Sequence, residues 1–127
     1  MKENTVQMRL ELVPLPTTDV ERSKAFYLNQ VGFTLDHDVE PGNGMRVVQL
    51  TPPGSACSIV VGVGISSPGA APVQNLHLVV DELDTVRDTL LGNGVEVSDI
   101  QDLGGGVRHA YFSDPDGNSW VLQQITR

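Results

Sequence analysis

Cysteine is nearly missing from this chain: Cys57 is the single one among 127 residues. No intramolecular disulfide can form, and a reducing compartment is the expected setting. Cys57 stands in an apolar run, where a lone thiol is expected to act as a small core side chain. Positive charge is scarce too. Eight Lys and Arg stand against sixteen Asp and Glu, a net charge of -8. That balance argues against a nucleic-acid backbone or an anionic membrane surface as the main partner. No apolar run approaches the roughly 18 residues of a membrane span, and residues 1–7 lack the charged-then-apolar layout of a signal peptide. Aromatic residues amount to only 5%, so platforms for stacking are few. A soluble cytoplasmic protein is expected, long enough to bury a core.

What the chain does have is a strong turn near its end. Asp114-Pro115-Asp116-Gly117-Asn118 lies between two alternating apolar runs, ending at Phe112 and starting at Trp120. Proline presets φ, Gly and Asn accept positive φ, and Asp bonds the backbone locally, so the stretch predicts a hairpin. A weaker copy, Pro52-Pro53-Gly54-Ser55, occurs earlier. Leu50 then matches Phe112, Pro53 matches Pro115 and Ile59 matches Val121, at a constant offset of 62 positions.

The rest of the chain fits the same repetition. Residues 10–15 read as a strand that Pro14 and Pro16 confine to an edge. Residues 20–30 read as a helix behind Thr17-Thr18-Asp19 and ended by Gly32. Strands are expected over 33–39, 46–50 and 56–63. A Ser/Pro/Gly/Ala linker, 66–72, separates this from a second round. There a strand over 74–80 precedes a helix over 81–91, with Leu83, Val86, Leu90 and Leu91 on one face. Strands over 95–100, 107–112 and 119–124 follow. The expected fold class is α+β, two βαβββ modules covering about 8–65 and about 73–125.

This order resembles the vicinal oxygen chelate superfamily, on the strength of Thr18-Asp19-Val20, Phe26-Tyr27, Gly32-Phe33 and Asp114-Pro115-Asp116-Gly117-Asn118. That group includes glyoxalase I, extradiol dioxygenases, fosfomycin resistance enzymes and bleomycin-binding resistance proteins. The resemblance implies a single glyoxalase-like domain over 1–127, with a cupped mixed sheet and helices outside. It also implies a homodimer, open to module swapping, with a site inside the cup. Enzymes of the family place His, Gln or Glu at four points on the first and last strands of the modules. Counted onto this chain, those points hold Leu12, Ile59, Asn75 and Val121. Three aliphatic side chains offer no lone pair, so no metal and no cofactor is expected.

Alternation places other residues beside them. Asn75 brings His77, Val121 brings Gln123, and with Phe112 on the helix side His109 and Tyr111 turn inward. Their repeat partners are Val47 and Gln49. The expected ligand-binding lining is therefore Leu12, Val47, Gln49, Ile59, Asn75, His77, His109, Tyr111, Val121 and Gln123. It combines aliphatic side chains with convergent polar groups, as small-molecule pockets do. His77, His109 and Tyr111 are the candidates for acid–base catalysis. His37 is expected on the surface, Trp120 in the core, and Arg46 and Arg108 in exposed ion pairs. Three functions follow, in order of preference. The first is a metal-free binding protein that sequesters an apolar or aromatic compound. The second is a metal-independent isomerase, lyase or cyclase, and the third a metal-dependent lyase or dioxygenase.

Overall fold

The computed structural model describes residues 5–126. The first module runs β1 (Leu12–Pro14), α1 (Val20–Ala25), β2 (Thr34–Gly42), β3 (Met45–Thr51) and β4 (Ser58–Val63). The second runs β5 (Leu76–Val79), α2 (Leu83–Gly92), β6 (Gln101–Asp102), β7 (Val107–Ser113) and β8 (Ser119–Ile125). Each forms its own four-stranded sheet, β1-β4-β3-β2 and β5-β8-β7-β6. The first strand of each module lies parallel to the last, and the remaining neighbours are antiparallel. Two βαβββ modules of an α+β fold are thus present.

Local chemistry explains the helix ends. Asp19 caps α1 by accepting from the Arg22 amide at 3.1 Å. The helix then widens into a π-helical turn over Phe26–Val31, and Gly32, at φ 93°, stops it. Two consecutive aromatics, Phe26 and Tyr27, both reach the core through that wider turn. In α2, Leu83 and Leu90 are buried and Val86 half-buried, whereas Leu91 points out and is exposed.

One core serves both modules. Phe26, Tyr27 and Phe33 of the first pack on Phe112 and Trp120 of the second, with ring centroids 5.2–6.3 Å apart in the Phe26–Tyr27, Phe33–Trp120, Tyr27–Trp120 and Phe26–Phe112 pairs. Val48, Leu50, Ile59 and Val61 from β3 and β4 join the same cluster, with Ala110 and Leu122 from β7 and β8. A buried polar network sits in its middle. The Tyr27 hydroxyl donates to Asp114 Oδ2 at 2.6 Å and accepts from Trp120 Nε1 at 2.9 Å. Asn118 Nδ2 donates to Asp114 Oδ2 at 2.8 Å and to the Pro16 carbonyl at 3.0 Å. Burial and the Asp114 carboxylate hold the Tyr27 phenol far above its ordinary pKa. The Asp114–Asn118 turn therefore does more than reverse the chain, because it also joins the modules.

Two further sequence expectations need correction. No strand forms over 95–100. Ser98 bonds β7 instead through its own backbone amide (to Tyr111 O, 2.9 Å) and its hydroxyl (from Tyr111 N, 2.9 Å), a local pattern that replaces a ladder. The second correction concerns register. Leu50 faces Ile59 across the first hairpin, and Phe112 faces Trp120 across the second. Residues 52–57 make a loop one residue longer than 114–118, so the offset of 62 does not hold beyond it. Ile59 corresponds to Trp120 and turns to the core, where it is 3% exposed. Val60 takes the place expected for Ile59, because a one-residue slip reverses every side chain of a strand.

Candidate functional site

Alternation gives each sheet a face turned away from the shared core, called the open face below. On the first module it carries Leu12 from β1, Val47 and Gln49 from β3, and Val60 from β4. Gln49 Nε2 donates to Ser58 Oγ at 3.2 Å, and the Ser58 and Thr51 hydroxyls lie 2.6 Å apart. A bulge at Asp36 adds residues that simple parity misses. Leu35 faces Leu50, but His37 faces Gln49 and Val39 faces Val47. His37 is exposed as expected, yet it stands on the open face. Asp38 turns to the other side, where it bonds Arg46 Nη2 at 2.7 Å and Lys24 Nζ at 2.8 Å. These partners hold its carboxyl well below the usual range.

The open face of the second module is chemically richer. Val121 of β8 faces His77 of β5 on one side and Tyr111 of β7 on the other. It is only 3% exposed, and the rings stand around it. His77 and His109 meet edge to face at 5.8 Å between centroids, and His109 and Tyr111 do so at 6.0 Å. Gln123, opposite His109, accepts from His109 Nε2 on Oε1 at 2.8 Å. Tyr111 Oη lies 3.4 Å from His109 Nδ1, and His77 Nδ1 donates to the Asn75 carbonyl at 2.8 Å.

Of the ten residues expected to line one site, the structure gathers His77, His109, Tyr111, Val121 and Gln123 on this face. Leu12, Val47 and Gln49 lie together on the other sheet. Ile59 lies on neither open face. Asn75 precedes β5 in a left-handed conformation, φ 62°, so strand alternation does not govern its side chain. It lines a broad depression of about 820 Å³ with Phe26, Gln30 and Tyr111. Arg46 and Arg108 occupy equivalent core-side positions, Arg46 pairing with Glu21 and Asp38 and Arg108 with Asp84 at 3.1 Å. Each pair ties a sheet to its helix.

A divalent metal finds poor terms here. With the register corrected, the four family points hold Leu12, Val60, Asn75 and Val121, which offer one amide between them. The nearby imidazoles, each donating one ring N–H, could add at most His77 Nε2 and His109 Nδ1, short of the three protein ligands of a catalytic zinc. Among the described residues no three His, Cys, Asp or Glu side chains converge. The donor set does not fit a transition metal.

Comparison with known proteins follows the same lines. The crystal structure of TnmS3, an antibiotic binding protein from Streptomyces sp. CB03234, superposes with a TM-score of 0.84 at 34% identity, over 97% of this chain and all of that one. A glyoxalase/bleomycin resistance protein from the same Streptomyces gives 0.77 at 36% identity, over 91% of this chain and all of that one. A glyoxylase so named provisionally, CFP32 of Mycobacterium tuberculosis and Mycobacterium bovis, is 31% identical over 91% of this chain. The chain spans 45% of the length of those curated relatives. Residues 9–122 match the family model of the Glyoxalase/Bleomycin resistance protein/Dioxygenase superfamily, and the chain belongs to that superfamily.

Proposed function

We propose that this protein binds and sequesters a small, largely apolar or aromatic compound, as a metal-free member of the bleomycin-resistance kind. The carrying observation is the open face of the second module, where an apolar floor at Val121 is ringed by His77, His109 and Tyr111. Such a surface contacts a flat apolar body and orients it with a few polar groups. The 34% identity to an antibiotic binding protein supports this class of ligand.

A second copy completes the site in this proposal. The two open faces belong to separate sheets, and apolar residues stand uncovered along them, with Val39 46% and Val79 68% exposed. Val6, Met8 and Leu10, ahead of β1, are 70–88% exposed. A two-fold dimer that sets the first module of one chain against the second module of its partner would cover both faces. The lone Cys57 and the acidic surface suit the cytoplasm, with neither nucleic acid nor membrane as partner.

Isothermal titration with polycyclic aromatic antibiotics tests the binding, and mass-spectrometric metal analysis of untagged protein purified without chelator tests the chemistry. Binding at 1:1 or 1:2 stoichiometry without metal is expected. Stoichiometric zinc, iron, nickel or manganese would overturn the metal-free reading.

One observation favours a second reading, a metal-independent isomerase, lyase or cyclase. Gln123, His109 and Tyr111 form a hydrogen-bonded row that could pass a proton through the Tyr111 hydroxyl. Chemical change of a bound compound, lost in Tyr111→Phe, would establish it.

A further inference from the structure

We propose that the open face of the second module is built to accept hydrogen bonds and so selects an aromatic ligand that carries hydroxyl groups. The inference deepens the small-molecule reading above and rests on it.

The polarity follows from which partners can only accept. The Asn75 carbonyl has no proton, so His77 must donate to it from Nδ1–H. In neutral His77 the lone pair then lies on Nε2, and among the described residues no group bonds that atom. The Gln123 oxygen likewise fixes the proton of His109 on Nε2. The lone pair of His109 Nδ1 faces the Tyr111 hydroxyl at 3.4 Å and takes its single proton. What remains on the Tyr111 oxygen is acceptor capacity. Two acceptors, His77 Nε2 and Tyr111 Oη, thus stand beside the nearly buried Val121, against the Gln123 amide nitrogen; the other side-chain donors of the face, Gln101 on the edge strand β6 and Ser113 at the end of β7, lie at its margins.

Charge narrows the class further. Arg108, the cation of β7, lies on the core side and is paired with Asp84. No Lys or Arg of β5, β7 or β8 stands on the open face, and the chain carries a net charge of -8. A carboxylate or phosphate would meet no counter-ion there. A neutral aromatic body with O–H groups satisfies both acceptors and covers Val121. Covering these acceptors without giving them a donor is what discriminates against a ligand lacking the hydroxyl.

Phenol and anisole, its methyl ether, differ in this one donor. Each would be titrated to millimolar concentration into the ¹⁵N-labelled full chain, following amide shifts of β5, β7 and β8. Phenol is expected to bind roughly fivefold more tightly than anisole. The His77→Phe/Tyr111→Phe double variant keeps the ring bulk and should bind both probes alike, at the affinity of anisole. Equal affinities in the unmodified protein, or a phenol preference that survives the double variant, would overturn the selection while leaving a small-molecule site in place. If neither probe shifts these strands, the small-molecule reading of the face fails with it.

Discussion

Single side chains decide more here than their number suggests. Tyr27 is fully buried, yet its hydroxyl serves Asp114 and Trp120, both of the opposite module. Tyr27→Phe removes little volume but leaves Trp120 Nε1 without an acceptor. A loss of about 1–3 kcal/mol in urea unfolding is expected. The same phenol makes stability sensitive to alkali. Its folded pKa is raised, so its contribution is complete below the unfolded value, about 10, and falls as pH climbs above that. Unfolding midpoints measured across pH 8–11 should decline on the upper side, and Tyr27→Phe should flatten that decline. Glycines give a sharper contrast. A Cβ at Gly62 would lie 1.8 Å from the Arg46 carbonyl oxygen, a backbone atom that cannot step aside, whereas one at Gly92 meets nothing within 4 Å. Gly62→Ala should cost about 1–3 kcal/mol or more, and Gly92→Ala, within a helix, should be neutral or raise stability by up to about 1 kcal/mol. Thermal unfolding of the two variants side by side checks this.

At the scale of elements, each sheet is pinned to its helix by an arginine, and the first module's pin is the more elaborate. Asp38 sits between Arg46 and Lys24, and Arg46 reaches on to Glu21. The carboxyl of Asp38 has a lowered folded pKa, so its stabilisation is present above the unfolded value, about 4, and is lost as pH falls below it. Circular dichroism from pH 6 to pH 2 should show unfolding that is shallower with pH in Asp38→Asn than in the unmodified chain. How far these elements were legible in advance depends on what fixes them. Helices α1 and α2 and the two hairpins follow from local signals, Asp19, Gly32 and the Asp114–Asn118 turn. Face assignments on β7 and β8 follow from alternation anchored by Phe112 and Trp120. Alternation failed where a single residue intervened. The extra residue in 52–57 moved Ile59 into the core, the bulge at Asp36 moved His37 to the open face, and positive φ took Asn75 out of the strand pattern. An insertion of one residue leaves composition and periodicity almost unchanged, yet it reverses the sidedness of all that follows. The polar row itself was found because His109, Tyr111 and Gln123 lie on strands with no such irregularity. Its hydrogen bonds depend on rotamers that no sequence pattern encodes.

For the whole molecule, the open question of assembly has a direct readout. Light scattering behind size exclusion should give a dimer at micromolar concentration, and Met8→Lys/Leu10→Lys should shift it toward monomer without unfolding it. A monomer in the unmodified protein would leave the two open faces as separate surfaces. The unequal residues of the two modules carry a further meaning. Had equivalent positions such as Val47 and His109, or Gln49 and Tyr111, held the same side chains, the modules would present like walls, and a guest between them could lie either way round. Instead one wall carries amide and hydroxyl groups from Gln49, Ser58 and Thr51, and the other imidazoles and a phenol from His77, His109 and Tyr111. A duplicated unit whose equivalent strand positions have diverged in this way has lost its internal symmetry of chemistry. A compound held between such walls would have a head and a tail.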